Sequence, residues 1–211
     1  MISIKAKKAL VLAGAFAVGQ LQAAIIGTSL GTAAPPATLG GFSMTAFPQD
    51  NRTGSVTSVP SPLGGNVSFG TAVKVRQIGK GWATWSHNYQ DSVYFNSSQS
   101  ITLTLPPATG AFYLYAEPNP FEVHTIIATA NDGTQVVQQV NGNHGASGYG
   151  FHTTGGSMIV SITVSSPTAE LAVGEFGIAN LVTIMPEPQT YAAFAGLGLL
   201  GFVGFRRLRR K

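Results

Sequence analysis

The 211-residue chain contains no cysteine and only 9% charged residues, against roughly 25% in an average soluble domain, so disulfide staples and thiolate metal sites are both excluded. Its net charge of +4 belongs to the two ends, where Lys5, Lys7 and Lys8 precede the body and Arg206, Arg207, Arg209, Arg210 and Lys211 follow it. Between them four basic residues (Arg52, Lys74, Arg76, Lys80) face seven acidic ones (Asp50, Asp91, Glu117, Glu122, Asp132, Glu170, Glu175), a balance of −3 that offers nucleic acid no electrostatic footprint.

Residues 1–24 read as a secretory signal peptide, a substrate of signal peptidase. Lys5, Lys7 and Lys8 form its basic start, and Ala9 to Gly19 form an apolar run. That run is short against the roughly 20 residues a bilayer-spanning helix needs, which favours cleavage over an uncleaved anchor. Gln20-Leu21-Gln22-Ala23-Ala24 supplies the small residues for a cut near Ala23 or Ala24.

Residues 25–185 are long enough for one domain with its own core. No convincing helical period occurs, but period-two patterns recur between Gly, Pro and Asn turns. Residues 25–45, with Pro35 and Pro36, hold one edge strand or run loosely. Strands are expected over Val56–Val59, Asn66–Phe69, Ala72–Ile78, Trp82–Trp85 and Ser92–Phe95. Ile101, Leu103 and Leu105 alternate with Ser100, Thr102 and Thr104, as buried and wet faces of one sheet do. Phe112 and Leu114 point the same way, against Ala111, Tyr113 and Tyr115. His124 to Ala130 and Gln135 to Val140 flank Asn131-Asp132-Gly133-Thr134, a hairpin signal because Asp-Gly tolerates positive φ. Further strands are expected over Gly148–His152 and Phe176–Ile184, and Val160, Ile162 and Val164 should face inward. Such spacing predicts an all-β fold, a single antiparallel β-sandwich of jelly-roll type.

Chemistry-bearing patterns in the body are sparse. His87, His124, His144 and His152 share no close ligand spacing, no metal site is expected, and no cofactor motif is present. Gly-x-Ser-x-Gly is absent. Glu117 and Glu122 straddle Pro118-Asn119-Pro120 and read as solvated loop carboxylates before a glycosidase pair. Asp50, Asn51, Asp91 and Asn119 offer oxygens to calcium without a calcium-loop spacing. The aromatic residues carry the sharper expectation. If Phe112 and Leu114 face inward, Tyr113 and Tyr115 face outward; Trp82 and Trp85, an odd number apart, face opposite sides of a regular strand. Exposed rings there form a candidate glycan-contact platform, with cross-strand packing under a loop as the alternative.

The tail has three parts in order: Met185-Pro186-Glu187-Pro188-Gln189-Thr190, the uncharged apolar stretch Tyr191 to Phe205, and an end containing Arg206, Arg207, Arg209 and Arg210. As a helix the apolar part spans about 22 Å, enough to cross a membrane with snorkelling arginines or local thinning, and the basic end should stay cytoplasmic. Pro186, Glu187 and Pro188, followed by this helix and arginine cluster over residues 186–211, resemble the PEP-CTERM sorting signal; Met185 stands where valine is common. The resemblance implies a substrate of an exosortase-type membrane protease of Gram-negative bacteria. It also implies export across the inner membrane, transient anchoring, and a final place at the cell surface or outside, in the company of exopolysaccharide and biofilm.

The chain therefore reads first as an exported, non-catalytic cell-envelope or extracellular-matrix protein, then as a carbohydrate-binding module using exposed aromatic residues, and last as a secreted hydrolase marked by paired carboxylates or a His–carboxylate pair.

Overall fold

The computed structural model describes residues 24–143 and 145–181. Residues 1–23 of the expected signal peptide, His144, and the whole Pro-Glu-Pro tail lie outside the described residues. Among those described there is no helix. The strands are β1 (Ala24–Gly31), β2 (Thr38–Leu39), β3 (Phe42–Ser43), β4 (Thr45–Ala46), β5 (Gly54–Pro60), β6 (Asn66–Ile78), β7 (Gly81–Trp82) and β8 (Ser92–Asn96). They continue with β9 (Ser100–Thr104), β10 (Thr109–Pro118), β11 (Val123–Ala130), β12 (Gln135–Asn141), β13 (Ser147–Thr154), β14 (Ser161–Ser165) and β15 (Leu171–Asn180).

The all-β expectation holds, and pairing is antiparallel apart from the short β6–β7 contact. The strands expected in two sheets form one hydrogen-bonded path, β1-β13-β10-β15-β8-β6-β9-β14-β11-β12, wrapped nearly into a barrel. The cause is β6. The two runs read as separate strands, Asn66–Phe69 and Ala72–Ile78, are one strand that continues through Gly70 and Thr71. Its first half pairs Ser68 and Phe69 with β9, and its second half pairs Lys74, Val75 and Arg76 with β8. One long strand thus carries the ladder round a corner, as strands that change sheets do. The path ends at β1 and β12, which lie side by side without a ladder. Side chains close that seam. Ile25 N donates to Asp132 Oδ2 (3.1 Å), Thr134 Oγ1 donates to Ile25 O (3.1 Å), and Ser29 Oγ donates to Gln138 Oε1.

The alternation expected of Ile101, Leu103 and Leu105, and of Phe112 and Leu114, places all five in the main core with Ile126, Phe151, Ile162 and Val164. Each such side chain contributes about 1.5–3 kcal/mol when fully buried. The 123–141 hairpin forms as its Asp-Gly turn predicts, and β1 is an edge strand on β13. Three expectations need correction. Val160 is 52% exposed; it precedes β14 and its N–H is taken by Asn131 Oδ1 (2.8 Å). Of Trp82–Trp85 only Trp82 lies in a strand. The last described strand, Leu171–Asn180, starts five residues before the expected Phe176, because Leu171 and Val173 share the inner face with Phe176 and Ile178 across a bulge; residues 182–184 of the expected strand lie outside the described residues.

Candidate functional site

The inner face of β10 carries Phe112, Leu114 and Ala116; its outer face carries Ala111, Tyr113, Tyr115 and Glu117. The outer face is not open to solvent. Tyr113 is 3% exposed and Tyr115 is fully buried, which overturns the exposed platform. The physical reason is glycine on both flanks. Tyr113 stands opposite Gly150 of β13 and Gly177 of β15, and Tyr115 opposite Gly148 and Gly174. With no neighbouring side chain to hold them upright, the rings lie down on the sheet, Tyr115 over Gly148 and Tyr113 over Gly177. Leu30, Leu39, Phe42, Met44 and Trp85 then cover them as a second apolar layer. The Tyr115 hydroxyl donates to Ala33 O (2.6 Å).

Trp85 joins this layer, and Trp82 packs in a neighbouring cluster with Ile78, Val93 and Ala172. Trp82 is buried and Trp85 partly so. Each indole N–H donates to a glutamate on a different strand: Trp82 Nε1 to Glu117 Oε2 (2.6 Å) and Trp85 Nε1 to Glu175 Oε2 (2.9 Å). The other oxygens are also occupied, Glu117 Oε1 by Thr84 Oγ1 (2.6 Å) and Glu175 Oε1 by His87 Nε2 (2.6 Å). Of the four aromatic residues singled out in the sequence, Tyr113, Tyr115 and Trp85 share one covered layer and Trp82 a neighbouring one, and the two indoles hold the two carboxylates. Burial pushes Glu117 up to about 7, against the hydrogen bonds from Thr84 and Trp82. Burial likewise raises Glu175, opposed by His87 and Trp85, and pushes the Tyr113 hydroxyl up to about 12.

Glu175 owes its position to the bulge. The ladder steps two residues on β10, Tyr113 to Tyr115, and three on β15, Gly177 to Gly174. The extra residue turns the Glu175 carboxylate outward and keeps Phe176 in the core. Glu175 takes φ +52° to do so, a left-handed conformation costing a non-glycine residue about 1–3 kcal/mol. His87 and Asn88 also have positive φ, +40° and +63°, in a tight turn closed by Tyr89 N to Ser86 O (3.1 Å). Two strained turns thus meet in one His–carboxylate hydrogen bond. This His–carboxylate pair, 88 positions apart in sequence, was missed by any reading of local spacing.

Two clefts border the layer. One of about 420 Å³ is lined by Trp82, Thr84, Glu117, Asn119 and Phe121; the other, of about 430 Å³, by Pro35, Phe47, Tyr89, Tyr113 and Glu175. Glu117 ends a strand and is 1% exposed, while Glu122 is exposed, so these two do not form the loop pair considered from sequence. Of the candidate calcium oxygens, Asp50 is taken by Arg52 (2.7 and 2.8 Å) and Tyr94 (2.9 Å). Among the described residues no three His, Asp or Glu side chains gather.

A different surface reaches solvent in part, exposed at Thr104 and Gln135 and half-buried at its other positions. The outward positions of β5, β6, β9 and β14 align Ser58, Ser68, Thr104 and Ser161 in one rung. Those of β9, β14, β11 and β12 align Thr102, Thr163, Thr129 and Gln135 in the next. Thr102 and Thr163 hydroxyls bond at 3.0 Å, and Gln135 Nε2 donates to Thr129 Oγ1 (3.3 Å). None of these eight residues carries a charge. Rungs lie about 6.7 Å apart along the strands, with about 4.8 Å between strands. The result is a rigid face of hydroxyls and methyls. The alternating Ser and Thr of Ser100–Thr104 and Ser161–Ser165 signalled it.

No family model matches the chain, and no curated protein matches it either.

Proposed function

We propose that this chain is an exported, non-catalytic cell-surface or matrix protein that meets a neutral exopolysaccharide through its hydroxyl face. The observation that carries this reading is the pair of charge-free Ser/Thr/Gln rungs, a surface that can exchange hydrogen bonds with sugar hydroxyls without desolvating an ion. Polymer held by many weak contacts gains from multivalency. The covered glutamates support the non-catalytic part, since all four of their oxygens are bonded within the protein. In this reading Pro186, Glu187 and Pro188 are recognised by an exosortase-type membrane protease, and Arg206, Arg207, Arg209 and Arg210 hold the precursor until then. Signal peptidase removes the N-terminal segment, and the product stays at the surface or is released.

The test is retention of the exported protein on the producing cell's own exopolysaccharide. Wild type and Ser97→Arg, altered in an exposed loop, should be retained equally, and Thr163→Arg should be released. Retention should hardly change with salt, because no charge is engaged. Equal retention of all three proteins, or none of wild type, removes the hydroxyl face from the function.

A further inference from the structure

Resting on the export reading above, we infer that the mature chain begins at Ile25 and that its new α-ammonium group forms an ion pair with Asp132. Two of the seam contacts converge on this one residue. The Ile25 nitrogen lies 3.1 Å from Asp132 Oδ2, and its carbonyl accepts from Thr134 Oγ1 at 3.1 Å. The second Asp132 oxygen accepts from Thr134 N at 2.9 Å, which fixes the carboxylate in the Asn131–Thr134 turn. The Ile25 side chain is buried in the main core, 6% exposed, so the residue is held from both ends. Ala24, just outside this grip, is exposed.

Backbone N–H and C=O of one strand residue point the same way. Both groups of Ile25 face the seam, so neither is spent on the β13 ladder. Converting this nitrogen to an ammonium therefore breaks no ladder bond of Ile25, and the cut gives up only the pairing of Ala24 with Thr154. Hydrolysis of the Ala24–Ile25 peptide bond by signal peptidase consumes one water, leaving Ala24 as a carboxylate and Ile25 as an amine that takes up a proton. A backbone N–H···carboxylate bond, charged on the acceptor side only, becomes a bond between two ionised groups. A cut after Ala23 would place the charge one residue beyond the turn. Removal of the leader thus strengthens a contact that the β1–β12 seam already makes.

Intact mass and N-terminal sequencing of the exported protein test this directly. A start at Ile25 supports the inference, and a start at Ala24 overturns it while leaving the export reading intact. Retention of residues 1–24 overturns both. Chemical denaturation supplies a second readout. Asp132→Asn should lower the folding equilibrium constant roughly two- to fivefold more in the chain starting at Ile25 than in one that keeps Ala23 and Ala24. Equal losses in the two backgrounds overturn the ion pair even if the cut is at Ile25.

Discussion

The ring of Tyr113 lies directly on the backbone of Gly177, where a Cβ would overlap it. Gly177 has no positive φ, so what demands glycine there is space alone. Gly177→Ala should therefore cost about 1–3 kcal/mol by overpacking. Gly70→Ala, whose Cβ would find Thr102 Cβ at an ordinary 3.5 Å, should stay within about 0.5 kcal/mol. Denaturant midpoints of the two variants decide the matter, and similar losses would show that the tyrosine has room to move.

Glu117 makes stability depend on pH with a definite sign. Its pKa rises on folding from 4.5 to about 7, so the folded state holds the proton more tightly. Below pH 4.5 both states are protonated and no penalty exists. As pH climbs from 4.5 to about 7 the unfolded chain ionises first and stability falls, by on the order of 3 kcal/mol in total. Glu117→Gln keeps an acceptor for Trp82 and removes the titration. Its loss of stability over that range should be smaller than that of wild type by this amount, as pH-dependent unfolding would reveal.

Trp85 pins the 83–91 loop to the sheet through Glu175. Trp85→Phe keeps an aromatic ring and deletes the N–H, leaving a nearly buried carboxylate oxygen one partner short, at a cost of about 1–3 kcal/mol. Hydrogen exchange should show faster opening of the 83–91 amides, with β9 and β14 unchanged. Uniform acceleration would mean that the loop and the sheet open as one unit.

Glu187 is the sole acidic residue after Glu175. If an exosortase-type protease reads Pro-Glu-Pro, Glu187→Ala should slow processing and leave the body folded. Immunoblots of cell fractions should then show a membrane-held precursor, whereas wild-type rates of release would take the motif out of the mechanism.

What could be read from sequence followed the range of the physics. Period-two patterns are local, so the Leu103 and Phe112 faces and the Asp132-Gly133 hairpin were legible. The outward side of Tyr113 and Tyr115 was also correctly placed, yet exposure was not. Whether an outward ring meets water depends on Gly148, Gly174 and Gly177 in strands far along the chain and on the loops that cover them. The spacing Leu171, Val173, Phe176, Ile178 contains a slip of one residue that announces a bulge. Its consequence, a glutamate turned out to meet His87, depends on long-range pairing that no local pattern contains. The two runs of β6 looked separate because Gly70 and Thr71 interrupt the apolar alternation, while the backbone ladder needs no such alternation to continue.

The pairing of β1 with β13 joins Ile25 to Thr153, far along the chain. In the proposed export route, a chain threaded through a membrane N-terminus first delivers its opening strand long before that strand's partner exists. During that wait β1 stays extended and unpaired, within reach of signal peptidase, while the β5–β6 and β11–β12 hairpins assemble. Contacts that distant form slowly, so on that route the barrel locks only after Thr153 has crossed. Arrival of the partner strand then acts as a timer, setting how long the Ala24–Ile25 junction can be cut before it is folded away.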